Sequence, residues 1–166
     1  MAETSLRGNP VHTAGNLPEV GAPAPSFDLT KTDLSPISSA DLAGQNVVLN
    51  IFPSVDTPTC AASVRAFNER AASRDNTTVL NVSADLPFAL GRFCGAEGIE
   101  DALSASTFRS EAFGQDFGTL QVDGPLHGLQ ARAVVVIGPD GNVAHTQLVG
   151  DIADEPDYDA ALASLS

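Results

Sequence analysis

Apolar and polar positions along the chain fall into strand and helix rhythms. Val47-Val48-Leu49-Asn50-Ile51-Phe52 is a short apolar run, the pattern of a strand buried on both faces. Residues 58–73 are Ala-rich, contain no glycine and predict a helix. Within it Cys60, Val64, Phe67 and Ala71 recur at spacings of 4, 3 and 4, which places them on one face. Residues 77–83 predict a second strand. Pro87 to Cys94 predicts the start of another helix, broken at Gly95 and Gly98. Ala133 to Ile137 and Asn142 to Val149, joined by Gly138-Pro139-Asp140-Gly141, predict a hairpin. Residues 155–165 predict a closing helix, with Asp154 as N-cap and Pro156 in its first turn. Near the start, Thr4 to Arg7 and Val11 to Thr13 flank Gly8-Asn9-Pro10 and predict a short hairpin. The Pro/Gly-rich stretch 14–26 reads as a loop. Strand, helix, strand, then a hairpin and a closing helix make an α/β three-layer sandwich around a mixed sheet.

Length and charge narrow the picture. At 166 residues the chain suits one domain, taken as 1–166, with a core large enough to need no staple. Asp and Glu number 21 against 8 Lys and Arg, a formal net charge of -13. A polyanion would be repelled, so nucleic acid is excluded as a partner, and an anionic membrane surface is disfavoured. No apolar run is long enough to span a bilayer. The first twenty residues show no apolar signal region, so the cytoplasm is the expected compartment.

Chemistry must come from few residues. The cysteines are Cys60 and Cys94, and neither sits in a C-x-x-C pair. Two cysteines with three scattered histidines (His12, His127, His145) make no zinc pattern, and a structural disulfide is not expected in a reducing compartment. Two inert thiols, a transient catalytic pair, or one reactive thiol and a bystander all fit the count. The surroundings of Cys60 favour reactivity. Pro58 suits the first helical position, which makes Thr57 the N-cap and Cys60 the third helical residue. There a sulfur meets unpaired backbone N–H groups and the positive end of the helix dipole, a setting that favours thiolates. The site also lies at the carboxyl end of a strand, where open α/β sheets bind ligands. A small buried hydrophobe opening an apolar stripe is the competing reading.

Pro53-x-x-x-Thr57-x-x-Cys60 resembles the active-site motif of the peroxiredoxins, and its flanks resemble the thiol peroxidase subgroup, the atypical two-cysteine type. Gly8-Asn9-Pro10-Val11, Ser83 to Ala89, Arg92 to Gly98, Ser106 to Arg109, Asp123 to Leu126, Ala131 to Ile137 and Glu155 to Tyr158 resemble further blocks of that subgroup, in order. The resemblance implies a thioredoxin-like α/β/α sandwich with an N-terminal β-hairpin at about 3–14. It implies Cys60 as the peroxidatic cysteine, Cys94 as the resolving one, and a Cys60–Cys94 disulfide reduced by thioredoxin. Thr57 would hydrogen-bond the thiolate and the peroxide, Pro53 would shield the sulfur, and Arg132 would hold the thiolate and polarise the O–O bond. The substrate would be hydrogen peroxide or an organic hydroperoxide, with no metal, haem or flavin, and the chain would form a homodimer. A thioredoxin-type disulfide oxidoreductase and a non-enzymatic peroxide sensor are the alternatives. Pro58 departs from the small or apolar residue expected there and stiffens a turn that the cycle must unwind. Both cysteines are expected near helix starts. Phe52, Leu86, Phe88 and Phe93 would suit an alkyl hydroperoxide but read first as core.

Overall fold

The computed structural model describes all residues, Met1–Ser166. Nine strands form: β1 (Glu3–Leu6), β2 (Asn9–His12), β3 (Asp28–Lys31), β4 (Pro36–Ser38), β5 (Asn46–Ile51), β6 (Thr77–Ser83), β7 (Leu103–Ser106), β8 (Ala133–Ile137) and β9 (Val143–Leu148). Four helices accompany them: α1 (Pro58–Arg70), α2 (Pro87–Glu97), α3 (Glu111–Asp116) and α4 (Tyr158–Ala163). Strands β1 and β2 pair alone as a hairpin, and the other seven form one sheet in the order β4-β3-β7-β6-β5-β8-β9. β5 runs parallel to β6, and β6 to β7, while β8 is antiparallel to β5 and to β9. This is a mixed, thioredoxin-like sheet.

Alternation along β5 builds two cores. Val47, Leu49 and Ile51 face a cluster with Leu80, Val135, Phe27, Phe113 and Phe117. Val48 and Phe52 face another with Cys60, Val64, Phe67, Leu90 and Ala161. Helices α1, α2 and α4 therefore cover one face and α3 the other, a three-layer sandwich. The central strands are sealed on both sides, so β5 and β8 carry uniformly buried residues.

Several expected boundaries move. Gly95 does not break α2; the helix continues to Glu97 and ends where Gly98 adopts a left-handed φ of 67°, the usual role of a C-terminal glycine. The closing helix starts at Tyr158 rather than 155, because the Asp157 side chain, not Asp154, accepts the Ala160 N–H. Helix α1 stops at Arg70, three residues early. Leu86 and Phe88 are not core: they stand 53% and 68% exposed at the start of α2. At Gly118, φ is 71° and a Cβ would overlap the Asn16 carbonyl, so only glycine fits this turn.

The hairpin is tied to the body by side chains. Asp123 accepts the His12 backbone N–H and its ring Nδ1, each at 2.7 Å, and Glu3 lies 3.2 Å from Nε2. With a carboxylate at each ring nitrogen, the imidazolium is favoured, and the bond to Asp123 raises the His12 pKa above its usual 6.5. A raised folded-state pKa stabilises the fold fully below the unfolded value and is lost as pH rises through the folded value. We expect wild type to lose stability from near neutral pH upward relative to a His12→Gln variant, in melts recorded from pH 5 to 9. Parallel pH profiles would remove His12 from the account.

Candidate functional site

β5 hands the chain to the site. After Phe52 come Pro53, which is buried, and a loop to Thr57. Thr57 is extended (φ -102°, ψ 145°) and Pro58 is the first helical residue, so the helix begins where the spacing requires. The N-cap is a backbone one only. The Thr57 hydroxyl donates to the Ser54 carbonyl at 3.0 Å and accepts nothing from the first turn. Cys60 is the third helical residue and 0% exposed. Ser63 donates to the Cys60 carbonyl at 2.8 Å and accepts from Asn50 of β5 at 3.2 Å, which pins the first turn to the sheet.

The decisive neighbour comes from another strand. β8 runs antiparallel to β5 with Ala133 opposite Ile51, so Arg132 sits beside the end of β5. Its Nη2 donates to Cys60 Sγ at 3.0 Å and its Nε to the Ile152 carbonyl at 2.8 Å. Arg132 is 2% exposed, and its Nη1 has no hydrogen-bond partner. A buried guanidinium against a sulfur donates to it and offers a further donor to an oxygen beside it. Arg132, Thr57 and Pro53 line one cavity of about 350 Å³, with Leu126, Leu129 and Ile152 among its apolar wall. Sequence spacing alone could not find Arg132. The pairing register is the missing signal. The expected hydrogen bond from Thr57 to the sulfur is not formed, because its hydroxyl is held by Ser54.

A family model described as Redoxin matches residues 19–162. A thiol peroxidase of Mycobacterium tuberculosis is 61% identical over 165 residues, 99% of each chain. One from Corynebacterium glutamicum is 57% identical over 166 residues, the full length of both. A solved peroxiredoxin-like protein from Aquifex aeolicus superposes with a TM-score of 0.93 at 37% identity, covering 98% of this chain and 95% of its own. The chain belongs to the Redoxin family, in its thiol peroxidase branch.

For a thiol peroxidase the placement of the second cysteine matters most. Cys94 is not near a helix start. It lies in the last turn of α2, where its carbonyl accepts from Gly98 and Ile99, and its half-buried Sγ lies 3.4 Å from the Ser104 hydroxyl. Both thiols are free. Cys60 belongs to the apolar cluster under α1 and α2, and Cys94 packs against that cluster. The loops leading to the two cysteine helices are joined by one carboxylate. Asp85 accepts from the Ser54 hydroxyl at 2.7 Å, the Val55 N–H at 2.9 Å and the Ser83 hydroxyl at 2.7 Å. Residues 83–85 fall in a block that resembles the family, yet nothing in their spacing announces this tie. Of the remaining candidates, Asp56 is an exposed loop carboxylate facing Arg92. His145 lies half-buried on β9, where burial lowers its pKa. His127 sits in a loop between Gly124 and Gly128.

Proposed function

We propose that this thiol peroxidase reduces hydroperoxides through Cys60 and resolves the product through Cys94. The Arg132 Nη2 to Cys60 Sγ contact of 3.0 Å carries this reading. The Cys60 thiolate attacks the distal peroxide oxygen. The O–O bond breaks, the alkoxide leaves with the bonding pair and takes up a proton, and the sulfur becomes a sulfenic acid. The free Nη1 of Arg132 and the N–H groups opening α1 hold the peroxide oxygens as charge develops on them. Pro53 keeps water from the sulfur, and Thr57 turns its hydroxyl from Ser54 to the peroxide when substrate binds.

Cys94 then condenses with the sulfenic acid, releasing water and forming an intramolecular disulfide. The balance is one hydroperoxide and two thiols in, one alcohol, one water and one disulfide out. A disulfide needs its Cα atoms within about 7 Å. Cys60 is fully enclosed and Cys94 is held in the last turn of α2, so local unwinding accompanies this step. Thioredoxin, a dithiol protein, returns the pair to thiols by exchange. Residues 1–166 act as one catalytic domain, in the cytoplasm, and the family resemblance supports a homodimer. The reactive pair belongs to one chain, so the chemistry does not need the partner.

The test is single-turnover chemistry on the reduced protein. One equivalent of cumene hydroperoxide is expected to consume both thiols of wild type and yield one equivalent of alcohol. Cys94→Ser is expected to react once, accumulate a Cys60 sulfenic acid detectable by mass, and stall with thioredoxin and its reductase. A Cys94→Ser enzyme that keeps turning over with thioredoxin would remove Cys94 from the cycle.

A further inference from the structure

One carboxylate beside the site serves neither the chemistry nor its own helix. Asp85 stands just before α2, where a carboxylate commonly caps a helix. It does not do so here: the N-cap is Leu86, with no side-chain cap bond. Asp85 turns instead to the loop that precedes Cys60. Its Oδ1 accepts from the Ser54 hydroxyl at 2.7 Å and its Oδ2 from the Val55 N–H at 2.9 Å. The Ser83 hydroxyl, buried at the end of β6, donates to Oδ2 at 2.7 Å and accepts the Asp85 N–H at 3.2 Å, which fixes the carboxylate to the sheet.

Ser54 passes that restraint along the chain. Its hydroxyl oxygen accepts the Asp56 N–H at 3.1 Å, and its carbonyl accepts the Thr57 N–H at 3.2 Å and the Thr57 hydroxyl at 3.0 Å. At the other end of the same segment, Ser63 holds the Cys60 carbonyl and is itself held by Asn50 of β5. Residues 56–60 thus run between two anchored points, one on β5 and one on the approach to α2. The exposed Arg92–Asp56 pair adds little, because solvent screens such pairs. The Asp85 anchor is different in kind. Val55 is 4% exposed, and a buried N–H that loses its acceptor is costly.

We propose that Asp85 is a positioning residue that keeps the Cys60 turn closed and so sets how fast the oxidised sulfur reaches Cys94. The proposal rests on the peroxidase reading above. Cys60 is enclosed and Cys94 sits in the last turn of α2, so the disulfide forms only from the fraction of molecules in which the first turn of α1 has opened. Opening that turn pulls Ser54 and Val55 away from Asp85. Weakening those two bonds raises the open fraction, and disulfide formation speeds up in proportion. A second hydroperoxide competes for the same sulfenic acid while the turn is closed. It transfers one oxygen to the sulfur, giving a sulfinic acid and a second molecule of alcohol, and the cycle stops there. Asp85 therefore sets the balance between disulfide and sulfinic acid.

The experiment treats the reduced protein with rising concentrations of cumene hydroperoxide. Mass spectrometry reads the concentration at which half of Cys60 ends as sulfinic acid, and rapid quench gives the rate of disulfide formation. Asp85→Asn keeps the shape of the side chain but turns one acceptor oxygen into a donor. Both quantities are expected to rise about tenfold in this variant, the factor carried by one hydrogen bond to a charged group. They should move in the same direction in Ser54→Ala, which removes a single half-buried hydroxyl and carries the test if Asp85→Asn fails to fold. Ile37→Val, in the core on the other face of the sheet, controls for lost stability and is expected to match wild type. A half-point that is unchanged or lowered in the loop variants, or raised equally in Ile37→Val, overturns the proposal and leaves the peroxidase reading intact. A wild-type Cys60 that does not oxidise, or forms no disulfide with Cys94, overturns both.

Discussion

Cys60→Ser is expected to abolish hydroperoxide reduction while leaving the fold in place. The substitution exchanges one heavy atom at a site with no solvent exposure. A serine hydroxyl there still accepts from Arg132 Nη2, so the buried guanidinium keeps a partner. The cost in stability is about 1 kcal/mol, for a hydroxyl set among Val64, Phe67 and Leu90 in place of a polarizable sulfur. The chemical cost is total. An alkoxide is not accessible near neutral pH, oxygen is a poor nucleophile towards a peroxide, and no sulfenic acid or disulfide can follow. Peroxide consumption with a thiol reductant should fall to the protein-free background, with a thermal melt within a few degrees of wild type. Retained turnover would move the first step to Cys94.

Why the pattern of residues disclosed some of this and hid the rest has physical reasons. β5, β6 and β8 lie at the centre of the sheet and must be apolar on both faces, so their runs stand out in the sequence. β3, β4 and β7 do not. They are three or four residues long, β4 opens with a proline at the sheet's edge, and Ser104-Ala105-Ser106 of β7 owes its burial to packing rather than to its own hydrophobicity. α3 is six residues with Gly114 inside it, too short to show a period. Local rules placed Thr57, Pro58 and Cys60 because capping is decided within four residues of chain. They misplaced the start of α4, where two aspartates three residues apart compete for one cap. Arg132 and Asp85 act across strands, at separations of 72 and 30 residues from Cys60 and Val55, and only tertiary pairing sets such contacts. The resemblance supplied Arg132; the register of β8 on β5 supplies the reason. For Thr57 the resemblance suggested a contact with sulfur, and the structure gives its hydroxyl to Ser54 instead.

Arg132→Met should slow the oxidation of Cys60 by roughly 10²–10³-fold, the loss seen when one aimed donor is taken from a developing oxyanion. Methionine fills much of the buried volume without charge, so the effect isolates the guanidinium. Two functions go together. The sulfur loses its only hydrogen-bond donor from a side chain, and a peroxide oxygen loses the free Nη1. The Ile152 carbonyl also loses its Nε donor, at a cost of about 1–3 kcal/mol in stability if water does not replace it. Arg132→Lys separates these contributions. An ammonium keeps the charge but lacks the planar fork that reaches Ile152 and the sulfur at once, so partial recovery of rate is expected without full recovery of stability. The steps of the cycle give the sharper discrimination. Arg132 touches Cys60 and not Cys94, so sulfenic acid formation should slow while the later disulfide step, followed by quench and mass spectrometry, keeps its rate. A variant in which both steps slow equally, or in which only stability falls, would reduce Arg132 to a structural strut between β8 and the Ile152 loop.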